Sequence, residues 1–590
     1  MKKTIIIILI FLLTPTVIVF GAYLENVPIT VTQPDGTILN LFATGDEYYN
    51  WLHDENGYTV VINPKTKYYC YAILKKDELV ASYGIVGKAN PLKMGLKPKI
   101  NISAAKIDEI QKVAYDLMNE REQENSSNRA MKASNKKSFE KINNIVIFIR
   151  FADQTEFATP KSYYTSMFNS TSEGANSMRN YFMEASYGKL DINTTFYPTS
   201  NGNNVFSYKD TFESGYYWPI DICPIGYNGK TEKKRREDSL IIRAINSVKS
   251  QIPATLDIDN NNDGYVDNVC FIIKGNISVG YGLLWPHKDV LHPKAAYIND
   301  KRVFNYNIQI EDFIKRDDEG IGVLCHEMNH TLGAPDLYHK NIGTPIGKWC
   351  LMSHNQNPPQ HMCAYVKYKY NKWIPEMPTI TESGTYSLNP LTSATNNCYK
   401  IAIKGSTEYL VLEYRRKTGT FESSVDGSGL IIYRVNEREN NTGGDGYYGG
   451  EKDRLYVFRP NGSLTNDGVI TSAFLSAQSG RNSFNNNSNP YCFVSNGSKG
   501  NIFIKNIKET NGKLSFDVRF CDGMDIVKIS TSNLSELTNA SKSISTQNTV
   551  IVKSTDNVIF EAENEVTLNP GFEVKLGGEF EINMNGCGEK

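Results

Sequence analysis

Residues 326–336 read His-Glu-Met-Asn-His-Thr-Leu-Gly-Ala-Pro-Asp, behind the apolar lead-in Ile321-Gly322-Val323-Leu324-Cys325. On a helix of about 3.6 residues per turn, His326 and His330 stand one turn apart on one face, so both imidazoles converge on one cation. That is the geometry of a zinc helix, and it constrains this part of the chain more than any other feature. Glu327, beside the first histidine, is placed to take a proton from a zinc-bound water. Gly333 breaks the helix and lets the chain turn, which allows Asp336 to return a carboxylate oxygen to the same ion. Two imidazoles and one carboxylate leave the fourth tetrahedral position to water, as in catalytic rather than closed structural zinc sites. Another common arrangement draws its third ligand from a glutamate on a second helix farther along. Here no acidic residue lies between Asp336 and Glu376, so Asp336 is the expected ligand, with His339 as its competitor.

The run H-E-M-N-H-T-L-G-A-P-D-L-Y resembles the active-site stretch of the immune inhibitor A-like secreted metalloproteases, a metzincin-like group with Asp where most metzincins carry a third His. Gly347-Lys348-Trp349-Cys350-Leu351-Met352-Ser353-His354 is similar to the family's Trp-x-Leu-Met segment, and Met352 matches the Met-turn that underlies the metal. Physically such a methionine is a polarizable packing residue, not a ligand. The stretches R-N-Y-F-M-E-A-S-Y-G-K-L at 179–190, Trp285-Pro286-His287 and G-S-G-L-I-I-Y-R-V also resemble the family. The resemblance implies a secreted zinc protease with an N-terminal pro-region that assists folding and maintains latency.

The chain opens Met1-Lys2-Lys3 and runs apolar from Ile5 to Phe20, interrupted by Thr14 and Pro15. This fits a signal peptide over 1–21 cleaved near Gly21, since the run is short of the roughly 20 apolar residues that span a bilayer. A secreted chain without a stable membrane anchor is expected. At 590 residues, 40% hydrophobic and 22% charged, it exceeds one domain. A formal net charge of −1 gives no reason to expect nucleic acid as a partner. Ten cysteines are too dispersed for a disulfide scaffold; Cys350 with Cys363 is the pairing to test, and oligomeric state is not legible.

The expected fold is an α+β multidomain chain whose centre is a zincin or metzincin-like α/β catalytic domain between β-rich regions. Residues 22–100 alternate β-branched and aromatic runs with turn signals, giving strands near Val27 to Val31, Ile38 to Phe42, Tyr58 to Ile62, Tyr68 to Leu74 and Leu79 to Ile85. Cys70 sits mid-strand and is expected to be buried rather than to cap zinc. Residues 101–141 hold a helical pattern from Ala104 to Glu124 and a polar, Lys- and Arg-bearing linker over 125–138, where activation cleavage is expected. The catalytic domain is placed at 142–378, with strands at Ile145 to Phe151 and Leu190 to Phe196 and helices at Ser177 to Ala185 and Asp238 to Ile252. A β-sandwich-like domain follows at 379–523, then a Ser/Thr/Asn linker at 524–547 and a small module of β hairpins at 548–590.

Before the histidine helix lies Asp257-Ile258-Asp259-Asn260-Asn261-Asn262-Asp263-Gly264-Tyr265-Val266-Asp267. Asp259, Asn261, Asp263, Asp267 and the Tyr265 carbonyl are oxygen donors spaced for Ca²⁺, without the bidentate glutamate of a full EF-hand. His287, His354, His361 and Tyr365 are further candidates for substrate contact or oxyanion stabilisation, and spacing does not choose among them. The activity expected is hydrolysis of protein or peptide substrates through a zinc-bound water. Two alternatives stay open: a non-catalytic adhesin with a structural zinc helix, and a zinc hydrolase of non-peptide substrates.

Overall fold

The run Ile145-Val146-Ile147-Phe148-Ile149 is apolar at every position, a pattern suited to a strand covered on both faces. In the computed structural model it lies in strand Lys141–Arg150, inside a sheet ordered His287–Val290, Asn305–Ile310, Val269–Ile273, Lys141–Arg150, Asp191–Tyr197. The structure describes residues 24–584 except 47–48, 104, 108, 111–139, 220–222, 224, 276–284, 292–293, 339–343, 440–452, 521–525, 531–533, 541–542 and 563–564. Four of these strands pair in parallel, and His287–Val290 runs antiparallel at the edge. Parallel neighbours need crossover connections. Helices Lys161–Asn169 and Met178–Ala185 carry the chain from Lys141–Arg150 to Asp191–Tyr197, and Lys230–Val248 precedes Val269–Ile273.

The two sheet faces divide the core. Ile142, Val146 and Phe148 pack with Tyr181 and Phe182 and with Leu324, Cys325 and Met328 of helix Gly320–Thr331. Ile145, Ile147 and Ile149 pack with Leu240, Ile241, Ala244 and Ile245 on the opposite face. That second core also takes in Val27, Ile29, Leu41 and Val60 of the N-terminal sheet. The N-terminal sheet is a six-stranded antiparallel meander from Leu24–Thr32 to Glu78–Ile85. It includes a strand, Asn50–His53, that the sequence reading omits, and Cys70 is buried within Tyr69–Lys75.

Several boundaries move. Ser177 is the N-cap of helix Met178–Ala185, its hydroxyl accepting the Asn180 N–H at 3.1 Å. The helix expected from Asp238 starts at Lys230 instead, because its charged first half has no apolar period to reveal it. Pairs at helical spacing, Arg236 with Glu232 and Lys234 with Asp238, support that half. Helix Lys161–Asn169 and strands His287–Val290 and Asn305–Ile310 are also additions to the sequence reading. The expected helix over 104–124 and linker over 125–138 fall almost wholly outside the described residues, as do the signal peptide, His339 and the loop at 440–450. Among the described residues, no helix is long and apolar enough to cross a membrane.

Beyond residue 378, Cys398–Ala402, Tyr409–Arg415, Gly429–Val435 and Leu455–Val457 form an antiparallel sheet. One face, with Leu410, Leu412, Tyr414 and Ile432, packs with Ile504 and Phe516 of a three-stranded sheet made by Gly384–Leu388, Lys513–Phe520 and Ile502–Thr510. The other face, with Val411, Ile431, Tyr433 and Val457, joins the core that contains Trp349, Met352 and the histidine helix.

The C-terminal reading needs two corrections. The stretch 524–547 is not simply a linker, since it supplies strands Ile526–Ile529, Leu537–Ala540 and Ser543–Thr546. Nor is the end built of hairpins: its strands pair in parallel, Leu537 with Ile559, Val550 with Phe572 and Asn557 with Glu579, each partner 22 residues on. This is a small solenoid, in which successive coils stack and bury Val550, Val552, Val558 and Phe560 between them. Cys350 and Cys363 are both buried as free thiols, with the Cys363 N–H donating to Cys350 Sγ at 3.4 Å, so the suggested disulfide is not formed.

Candidate metal centre

Helix Gly320–Thr331 enters the core where there is no room for a side chain. A Cβ on Gly322 would lie 2.2 Å from the Gln356 carbonyl oxygen, so glycine lets the helix seat against that loop. Past Leu332 the chain turns at Gly333, whose φ of +97° is left-handed and favours glycine. The turn brings Asp336 back to the histidines.

Three protein atoms, the Nε2 of His326, the Nε2 of His330 and the Oδ1 of Asp336, define the centre. His326 Nδ1 lies 3.1 Å from the Leu351 carbonyl oxygen and His330 Nδ1 lies 2.7 Å from that of Ala334. Carbonyls only accept, so each Nδ1 carries the proton and each Nε2 is left with its lone pair outward. The two Nε2 atoms are 3.0 Å apart, and Asp336 Oδ1 is 2.9 Å from one and 3.4 Å from the other. Neither Asp336 oxygen has a hydrogen-bond partner, and all three side chains are buried. Burial draws His330 below its ordinary pKa, which disfavours an imidazolium. An anionic carboxylate and two neutral imidazoles therefore turn electron pairs on one point, an arrangement that is repulsive by itself and fits a divalent ion with tetrahedral N/O preference.

Glu327 is fully buried, and its carboxylate comes within 4.8 Å of the ligand atoms of His326 and His330. Met352 is buried in the same core as Met328, and its carbonyl accepts the Leu337 N–H at 2.8 Å, tying the residue after Asp336 to the Met352 segment.

The remaining candidates lie apart from this cluster. His287, on the antiparallel edge strand, bonds the Trp285 carbonyl through Nδ1 at 2.7 Å and approaches Glu237 Oε1 through Nε2 at 3.2 Å. It belongs to a second buried group with Glu237 and Asp289. Lys234 Nζ fills that group, 2.6 Å from Asp238, 2.8 Å from Asp289 and 3.5 Å from Glu237. His361 is held between Glu184 and Lys367, each at 3.0 Å. Tyr365 is fully buried beside Tyr370, its electrostatic neighbours being Tyr370, Glu437, Tyr409 and Arg454 rather than the histidine cluster. His354 is half-buried, and burial with nearby Lys348 draws its pKa to about 4, so its ring is neutral near neutral pH.

The acidic loop closes on itself. Asp259 accepts the N–H groups of Asp263 and Gly264 at 2.9 and 3.0 Å, and Asp263 accepts that of Tyr265 at 3.1 Å. Asp259, Asn261, Asp263 and Asp267 are all buried. Asp267 Oδ1 has no partner, and burial with the charges of Asp259, Asp263 and Asp257 lifts this carboxyl to about 7. Lys301 Nζ meets Asp259 at 2.7 Å but is considerably exposed, and it offsets only one of these charges.

Side-chain motifs could not reveal the backbone carbonyls of Leu351 and Ala334 that fix the histidine tautomers. They could have revealed Glu413 and Arg415. In the strand Y-L-V-L-E-Y-R these alternate with Val411 on the face that enters the core, a polar breach of an apolar stripe.

Residues 258–357 match the family model described as immune inhibitor A peptidase M6, catalytic domain. The match spans both the acidic loop and the histidine cluster, and it supports a metallopeptidase hydrolase acting on protein or peptide substrates. No curated protein matches the chain. Among solved structures, wild-type OgpA from Akkermansia muciniphila is similar at 13% identity and a TM-score of 0.22, over 47% of this chain and 72% of that one. That likeness is too slight to bear on fold or activity.

Proposed function

We propose that this chain is a secreted zinc-dependent endopeptidase. The observation that carries the reading is the convergence of two Nε2 lone pairs with an Asp336 carboxylate that has no hydrogen-bond donor. His326, His330 and Asp336 would hold the ion, which when bound polarises the scissile carbonyl and lowers the pKa of its water. Glu327 accepts the proton of that water and later passes it to the leaving amine. The Leu351 and Ala334 carbonyls keep each ring in the tautomer that presents Nε2, and the Met352 segment packs beneath as in a metzincin. Asp259, Asn261, Asp263, Asp267 and the Tyr265 carbonyl form a Ca²⁺ site that steadies the start of strand Val269–Ile273. Residues 1–21 direct secretion, the N-terminal sheet acts as a pro-region, and cleavage in 125–138 activates the enzyme.

The test is Glu327→Gln, which keeps shape and removes the base. Casein hydrolysis by the processed protein is expected to fall about 1,000-fold with zinc content unchanged. Persisting hydrolysis would overturn the mechanism, and peptide inactivity of the zinc-loaded, unaltered protein would point to a non-peptide substrate or a binding role.

A further inference from the structure

The carbonyl that orients His326 belongs to Leu351, in a segment gripped from outside the matched catalytic region. Arg415 is completely buried on strand Tyr409–Arg415 and donates through Nη1 to the Trp349 carbonyl at 2.5 Å. Two buried carboxylates hold the guanidinium. Glu422 accepts Nε at 2.7 Å and Nη2 at 2.5 Å, and Glu413 lies 3.3 Å from Nη1. These carboxylates also accept from the far end of the same segment, Glu422 from the His361 N–H at 3.0 Å and Glu413 from the Ala364 N–H at 2.6 Å. The Tyr433 hydroxyl bridges the two ends, 2.7 Å from Glu413 and 3.3 Å from the Trp349 carbonyl. One guanidinium, two carboxylates and one phenol thus clamp residues 349 and 361–364, and the intervening chain carries the Leu351 carbonyl and Met352.

Simple packing does not require this arrangement. Buried charges cost free energy that apolar residues of like volume avoid, and the neighbouring positions on this sheet face, Val411, Ile431 and Val435, are apolar. The bidentate, planar contacts instead fix a direction, which suits guanidinium and not a point-charge ammonium.

We infer that Arg415, with Glu413, Glu422 and Tyr433, is a positioning residue for the metal centre, setting the Leu351 carbonyl that aims His326 at the ion. The inference rests on the zinc reading above. Its test is the full-length Arg415→Lys protein, with Tyr433→Phe as a milder variant that keeps the ring and removes only the hydroxyl. Zinc affinity is measured by chelator competition, and ligand geometry by the visible absorption of the cobalt-substituted protein. Arg415→Lys is expected to weaken zinc binding by roughly 10-fold to 100-fold, the range for partners that orient metal ligands, and to alter the cobalt spectrum. Tyr433→Phe is expected to do the same to a smaller extent. Leu412→Ala is the control for plain destabilisation, because Leu412 points into the other core of the same sheet; it should lower the melting temperature and leave zinc affinity and the cobalt spectrum unchanged. Wild-type zinc affinity and cobalt spectrum in both clamp variants would overturn the inference alone. Failure of the unaltered protein to bind zinc would overturn the zinc reading and this inference together.

Discussion

Glu237, His287 and Asp289 bring ligand atoms within 4.8 Å of one another, as His326, Glu327 and His330 do, and all six residues are buried. The two groups would look alike in an inventory of residue types. In the first, Lys234 Nζ lies within 3.5 Å of three carboxylates and bonds the Tyr306 hydroxyl at 2.6 Å, so a protein cation already fills the centre. Around His326 and His330 the donor hydrogens point outward to backbone carbonyls, and the inward atoms are all electron-pair donors. Composition does not separate a metal centre from an ion-pair knot. The directions of the protons do, and those are set by second partners often remote in sequence.

The largest effect expected from this contrast is at Asp336. Asp336→Ala should weaken zinc binding by roughly 1,000-fold, about 4 kcal/mol, a third of a typical structural-zinc binding energy. Zinc stoichiometry after dialysis checks it, and unchanged zinc content would remove Asp336 from the ligand set. Lys234→Met should act in the opposite manner, destabilising the protein by about 3 kcal/mol through uncompensated buried carboxylates while zinc content stays constant. Denaturant unfolding and metal analysis of the same sample read both quantities, and zinc gained at Glu237 and His287 in that variant would show that only the lysine kept a metal out.

The smallest effect concerns the acidic loop, which lies between the two cases, with a cation on one carboxylate and an unpartnered oxygen on another. Burial and the charges of Asp259, Asp263 and Asp257 raise the Asp267 carboxyl from the ordinary carboxylate range to about 7. Its stabilising share is therefore full below about pH 4 and is lost as pH rises through about 7. Allowing for relaxation of the loop and entry of water as the carboxyl ionises, this amounts to about 2 kcal/mol. In chelator, the unaltered protein should lose that much stability between those pH values relative to Asp267→Asn. Excess Ca²⁺ should abolish the difference, and an equal difference with and without Ca²⁺ would remove Asp267 from the cation site.

The centre was legible because its spacing is rigid. A helical turn puts His326 over His330, and Gly333 marks the bend that returns Asp336. The N-terminal strands were legible from alternation and turn residues. What escaped had a weaker or longer-range signal. The charged start of helix Lys230–Val248 has no apolar stripe, and its support comes from side-chain pairs. Strands Ile502–Thr510 and Lys513–Phe520 join through Asn511-Gly512, both with positive φ, a hairpin signal visible in the sequence and overlooked. The solenoid was hidden by period: V-I-V-K at 550–553 and F-E-V-K at 572–575 repeat at an interval far longer than any one strand. His287 shows the converse, a residue of promising type whose carboxylate partner, Glu237, lies 50 residues away on helix Lys230–Val248.

The apolar face carrying Val411, Tyr433 and Val457 packs into the same core as Trp349 and Met352. A gene fragment ending near codon 378 would strip that face away, leaving the carbonyl of Trp349 and the amides of His361 and Ala364 without the acceptors and donors that now meet them. The smallest piece worth expressing for assay extends through Phe520, because strands Ile502–Thr510 and Lys513–Phe520 cover the opposite face of the same sheet, well past the stretch by which the chain is recognised.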